Sequence, residues 1–93
     1  MCACSKEAKG NVLNNCLNTT VSTLQIYKAK YECIRDNNLY NTIGKNSLYI
    51  VSRIDLLNTM INDKINDPGS CNNFQYLSYI ENEINYITTV TSC

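Results

Sequence analysis

Between Asn11 and Asn37 the apolar side chains Leu13, Leu17, Val21, Leu24, Tyr27, Tyr31 and Ile34 recur in steps of three or four. Such steps return to the same side of an α-helix at every turn, so the segment predicts one buried stripe along a single long helix. No Pro or Gly interrupts it. Two further stripes follow. Ile50, Ile54, Leu57, Ile61 and Ile65 mark a second helix with Asn46 as its N-cap, and Phe74, Leu77, Ile80, Ile84, Ile87 and Val90 mark a third. Asn72 with Gln75 three residues on matches a capping box for the third helix. Asp67-Pro68-Gly69-Ser70 is the clearest turn signal in the chain. Ile87–Val90 and Leu48–Val51 are β-branched enough to read as short strands, but the helical period runs far longer than a strand needs. The expected fold is all-α, a disulfide-stapled three-helix up-down-up bundle with a short N-terminal arm. Its helices cover about 11–36, 47–66 and 73–91 of a single domain, 1–93.

The first helix is weakest around Asn14-Asn15 and Asn18-Thr19-Thr20, where helix propensity is poor and a bend is expected. It also contains a conflict. Cys33 lies about half a turn away from the helix's own apolar stripe at roughly 100° per residue, yet it must find a partner.

The six cysteines, Cys2, Cys4, Cys16, Cys33, Cys71 and Cys93, are an even number in a chain of 93 residues. In so short a chain they read as three disulfides, which a small core needs for stability. A zinc site is disfavoured, because there is no His and the only close pair, Cys2-Ala3-Cys4, has one intervening residue. An up-down-up bundle brings Cys33 and Cys93 to one end and leaves Cys2, Cys4, Cys16 and Cys71 at the other. Cys2–Cys4 would close a strained ring. The arm is therefore expected to bridge to Cys16 and Cys71, with Cys4–Cys16 and Cys2–Cys71 the preferred order. Disulfides imply an oxidising compartment, so the expected setting is secreted or extracellular. Met1 is followed directly by Cys2, which reads as a mature domain with an initiator Met and no signal peptide. Asn18-Thr19-Thr20 satisfies the N-glycosylation sequon, placing a candidate modification at Asn18.

Composition excludes more than it identifies. Eight basic and eight acidic residues cancel, against the lopsided charge of a nucleic-acid binder. No apolar run approaches the ~20 residues of a membrane span. The absence of His removes Ser-His-Asp and Cys-His catalysis, and no glycine-rich phosphate loop is present. Glu81 and Glu83 point about 200° apart on a helix and read as solvated. No enzyme, no metal and no cofactor are expected.

What remains is surface. Tyr79 and Tyr86 sit seven apart and beside the core stripe of the third helix; Tyr49, Leu56 and Met60 lie away from Ile54 and Ile61 on the second. These five are the candidate partner-binding residues, since Tyr and Met are favoured in binding surfaces. The competing explanation is that a bundle helix facing two neighbours needs a broad apolar stripe. Asn58-Thr59-Met60-Ile61, Pro68, Cys71 and the helix to Cys93 resemble part of an elicitin, a secreted sterol-binding family. The cysteines that family carries beside the Asn-Thr-Met-Ile segment are missing here, and the Cys2/Cys4 pair is foreign to it, so the chain is not assigned to it. The expected function is binding of an extracellular protein or receptor, as a signal, effector or recognition ligand, with self-association a further use of the same faces. The alternative is a carrier holding a sterol, lipid or other small apolar ligand among Ile54, Leu57, Ile84 and Ile87.

Overall fold

The computed structural model describes residues 14–93, and within them the protein is all-helical, without strands. A helical segment at 14–18 precedes α1, Val21–Asp36; α2 is Ser47–Asn66; a 3-10 turn, Phe74–Tyr76, leads into α3, Leu77–Val90. The long first helix expected over 11–36 is thus broken at Thr19–Thr20, and its start at 11 lies outside the described residues. Thr20 takes an extended backbone, and its hydroxyl accepts from the Thr23 amide, so it caps a new helix. A Thr N-cap satisfies one of the orphan amides of a helix start, which a continuous helix through Asn18-Thr19-Thr20 could not exploit.

The far end of α1 closes just as locally. Asn38 adopts a left-handed backbone, φ 54°. Leu39 N–H then bonds to the Ile34 carbonyl and Asn38 N–H to that of Arg35, the paired bonds of a Schellman stop. The connector turns again at Gly44, φ 71°, a conformation that disfavours a side chain. The second turn points Lys45 and Asn46 toward α2, and the Asn46 side chain accepts from the Tyr49 amide, capping the helix. Ile43 anchors this connector in the core.

At the other junction the Asx bond from Gly69 N–H to Asp67 Oδ1 and the Ser70-to-Asp67 backbone bond build the Pro-Gly turn. The expected capping box at Asn72 and Gln75 does not form. Asn73 instead takes a left-handed backbone, φ 68°, and the 3-10 turn starts without a side-chain cap.

The core joins Leu24, Tyr31 and Ile34 of α1, Ile50, Ile54, Leu57, Met60 and Ile61 of α2, Phe74, and Leu77, Ile80, Ile84 and Ile87 of α3. Met60 is fully buried, so its expected place on a partner-binding face is corrected. The physical reason is the broad stripe of a helix covered on two sides, which also half-buries Leu56. Ile65, expected in the core stripe, is 60% exposed, and the neighbouring Lys64 is buried in its stead.

Two disulfides staple the ends: Cys33–Cys93 and Cys16–Cys71. The second replaces the expected Cys4–Cys16 and Cys2–Cys71 pairs. Breaking the helix at Thr19–Thr20 frees the Cys16 segment to pack directly against the turn that carries Cys71. Cys2, Cys4 and the arm lie outside the described residues. The Cys33 conflict is resolved by the C-terminal tail. Thr91 leaves α3 with extended backbone, Cys93 N–H bonds to Thr91 Oγ1, and the Lys30 ammonium bonds to the Cys93 carbonyl. The tail, rather than α3 itself, reaches round to Cys33.

Candidate functional site

α1 presents two tyrosines one turn apart, Tyr27 and Tyr31, and α3 presents two carboxylates, Glu81 and Glu83. They meet pairwise. Tyr27 Oη donates to Glu81 Oε2 at 3.1 Å, and Tyr31 Oη donates to Glu83 Oε1 at 2.5 Å. The glutamates do diverge around their helix, as expected, but each finds a phenol, so neither is simply solvated. Tyr31 is fully buried, and burial raises its hydroxyl pKa far above the ordinary tyrosine value, with the Glu83 bond adding to the effect. Burial, then Glu81, raises that of Tyr27 in the same way. Both phenols are therefore fixed donors.

Glu83 is the hub of a larger arrangement. Its side chain is 14% exposed. Tyr49 of α2 places its Oη 2.8 Å from both carboxylate oxygens and accepts in turn from Arg53 Nε at 3.0 Å. Arg53 Nε lies 3.8 Å from Glu83 Oε1, and Lys45 Nζ lies 4.0 Å from Oε2. Both cations also ride over the Tyr49 ring, Lys45 at 4.6 Å and Arg53 at 5.1 Å from its centroid. The Tyr49 hydroxyl pKa is raised, chiefly by burial and also by Glu83, against the opposing bond from Arg53. Burial disfavours the Arg53 charge, but Tyr49, Tyr31 and Glu83 more than compensate and hold it firmly protonated.

Above this hub opens a cleft of about 600 Å³. Lys45, Tyr49 and Arg53 form one wall; Tyr79, Asn82 and Tyr86 form the other; Glu83 lies between. Tyr79 is 65% exposed and Tyr86 50%. They stand one turn to either side of Glu83, in a stripe running Tyr76, Tyr79, Glu83, Tyr86 and Val90 in steps of three and four. The chemistry of the cleft follows from what is already occupied. The Glu83 oxygens accept from Tyr31 and Tyr49. The Arg53 Nη nitrogens and Lys45 Nζ have no hydrogen-bond partner among the described residues, so the groups that line the cleft around Glu83 are cationic donors and aromatic faces.

Of the five candidate partner-binding residues, the structure brings Tyr49, Tyr79 and Tyr86 together at this cleft. Leu56 packs on the core and Met60 lies within it. Asn18 is exposed at the end of the 14–18 segment, and the hydroxyl residue of its sequon, Thr20, is the α1 cap. Arg53 and Lys45 were not singled out from sequence, while Glu83 reads there as solvated and Tyr31 as a member of the apolar stripe. The signal that would have found Glu83 is its place inside the tyrosine stripe of α3.

A second polar cluster lies at the other end. Lys64, in the last turn of α2, is 7% exposed. Its Nζ donates to the Cys16 carbonyl at 2.7 Å and to the Pro68 carbonyl at 3.3 Å, and sits 5.1 Å over the Phe74 ring. Among the described residues no group of three or more Cys, Asp or Glu side chains is placed to hold a metal ion, and no helix is long and apolar enough to cross a membrane. Compared with known proteins, the chain matches no family model, no curated protein and no solved structure.

Proposed function

We propose that this is a secreted, disulfide-stapled helical protein that works by binding another protein, and that the cleft over Glu83 is its contact face. The observation carrying this reading is the pair of exposed rings, Tyr79 and Tyr86, beside two cations, Arg53 and Lys45, whose Nη and Nζ donors have no hydrogen-bond partner among the described residues. Tyr and Arg are the residue types that dominate binding energy at protein interfaces. The hydrogen bonds beneath them hold the wall rigid, so little ordering cost attends docking. Two disulfides fit an extracellular setting. The carrier alternative draws less support. Ile54, Leu57, Ile84 and Ile87 are buried together in the core, and the cleft is lined by other residues.

Tyr79→Ala and Tyr86→Ala test the reading. Both rings stand mostly in solvent, so the melting temperature should hold nearly constant while capture of an extracellular partner falls. Undiminished capture by the double variant would refute the contact face.

A further inference from the structure

We infer that the cleft recognises an acidic peptide segment of its partner, with a carboxylate held by Arg53 and Lys45 and a neighbouring aromatic side chain set against Tyr79 and Tyr86. The inference rests on the docking face proposed above and adds the chemistry of what docks.

Charge balance within the cleft gives the sign. Two cations, Lys45 and Arg53, face the single carboxylate of Glu83. That carboxylate already accepts hydrogen bonds from the hydroxyls of Tyr31 and Tyr49. The protein as a whole is neutral, so the attraction for an anion is local to this wall. Geometry supplies the specificity. Tyr49 Oη accepts from Arg53 Nε, which fixes the guanidinium while leaving its two terminal nitrogens without a partner among the described residues. Those nitrogens form the edge that meets a carboxylate in paired, parallel hydrogen bonds. Lys45, at the rim with a side chain 38% exposed, adds a mobile point charge. The volume, about 600 Å³, lies within the range of pockets that take a few linked side chains rather than a bare ion. The flanking tyrosines give the adjoining residue an aromatic surface on either side.

The test is an amide-resolved NMR titration of the intact protein with three probes. These are the capped peptide Ac-Gly-Phe-Asp-Glu-Phe-Gly-NH2, its isostere Ac-Gly-Phe-Asn-Gln-Phe-Gly-NH2, and sodium sulfate. The acidic peptide should shift the amides of Arg53, Tyr79, Asn82 and Tyr86 saturably, and the isostere should bind at least tenfold more weakly. Arg53→Gln and, separately, the rim variant Lys45→Gln should each weaken the acidic peptide by roughly tenfold, the scale of one lost hydrogen bond to a charged group. The Lys45 side chain makes no hydrogen bond among the described residues and only a 4.0 Å ion pair with Glu83, so its variant reads the binding contribution even if Arg53→Gln disturbs Tyr49. Equal binding of the isostere would overturn the acidic specificity and leave the docking face standing. Sulfate binding as tightly as the peptide would overturn peptide recognition. Shifts of the same amides with protein concentration alone would assign the cleft to a second copy of this chain and overturn it too. Absence of any shift with either peptide would overturn it outright, while the Tyr79 and Tyr86 variants report independently on the docking face.

Discussion

At the Cys16–Cys71 end a single ammonium, Lys64 Nζ, is buried and committed to two backbone carbonyls. At the Cys33–Cys93 end a carboxylate is ringed by two phenols and two cations, and both cations line an open cleft. Both ends bring charge into a small apolar core, where an unpaired charge would be costly. They solve the problem differently. Lys64 ties three separate pieces together: the 14–18 segment, the end of α2 and the Pro-Gly turn. Its ammonium sits over the Phe74 ring and donates to carbonyls at the end of the 14–18 segment and in the Pro-Gly turn. Both named bonds of its head are spent inside the fold. Around Glu83 the carboxylate is satisfied first, and the groups that satisfy it become a presentable surface. The difference separates a charge committed wholly to the fold from one whose partners also line a cleft.

Breaking the two ends should expose that difference, beginning with the disulfides. The bridges span 55 and 60 residues of chain, so on loop entropy alone each contributes about 4 kcal/mol. Cys16→Ser/Cys71→Ser should cost more than Cys33→Ser/Cys93→Ser in urea unfolding, because Cys16 is fully buried and its serine would carry a hydroxyl into the core. Lys64→Met comes next. It removes the donor that joins the Cys16 and Pro68 carbonyls and should cost ~1–3 kcal/mol while leaving the cleft amides of an NMR spectrum unmoved. Glu83→Ala should cost a similar ~1–3 kcal/mol by orphaning the buried Tyr31 hydroxyl, and here the cleft amides should move as well.

A pH scan sharpens the Cys33–Cys93 end further. The Tyr31 pKa is raised in the folded protein, mainly by burial and then by Glu83. The native state therefore holds that proton more tightly than the unfolded chain. The associated stability is fully present below the ordinary tyrosine value of about 10 and is lost as pH rises above it. Urea midpoints measured from pH 9 upward should fall in the native protein and fall less in Tyr31→Phe. The smallest stability effect belongs to Tyr79→Ala and Tyr86→Ala, within ~0.5 kcal/mol, the ordinary range for exposed positions.

The helical architecture was legible because long apolar periods are hard to mistake, and the Asn46 cap and the Pro-Gly turn stand where local chemistry requires them. What stayed hidden depended on partners distant in sequence. The break at Thr19–Thr20 read only as low propensity, since the gain comes from freeing Cys16 to meet Cys71, 55 residues on. Lys64 and Ile65 are adjacent, and period alone favours the isoleucine. The lysine wins because Cys16 and Pro68 present carbonyls to its head. Glu81 and Glu83 looked solvated on their own helix, and only the arrival of Tyr27 and Tyr31 from α1 gives them partners. Tyr79 and Tyr86 were legible as off-stripe aromatics, whereas Met60, equally off-stripe, went into the core because α2 is covered on two sides.

The central claim, that the outward-facing end binds and the inward-facing end staples, is tested most directly by site-specific photocrosslinking. p-Benzoylphenylalanine would be placed at position 86 in the cleft and, in a second protein, at position 65 beside Lys64, both exposed in the fold. In the presence of a protein that it binds, a discrete, competable crosslinked species is expected from position 86 and none from position 65. A species from position 65 alone would contradict it.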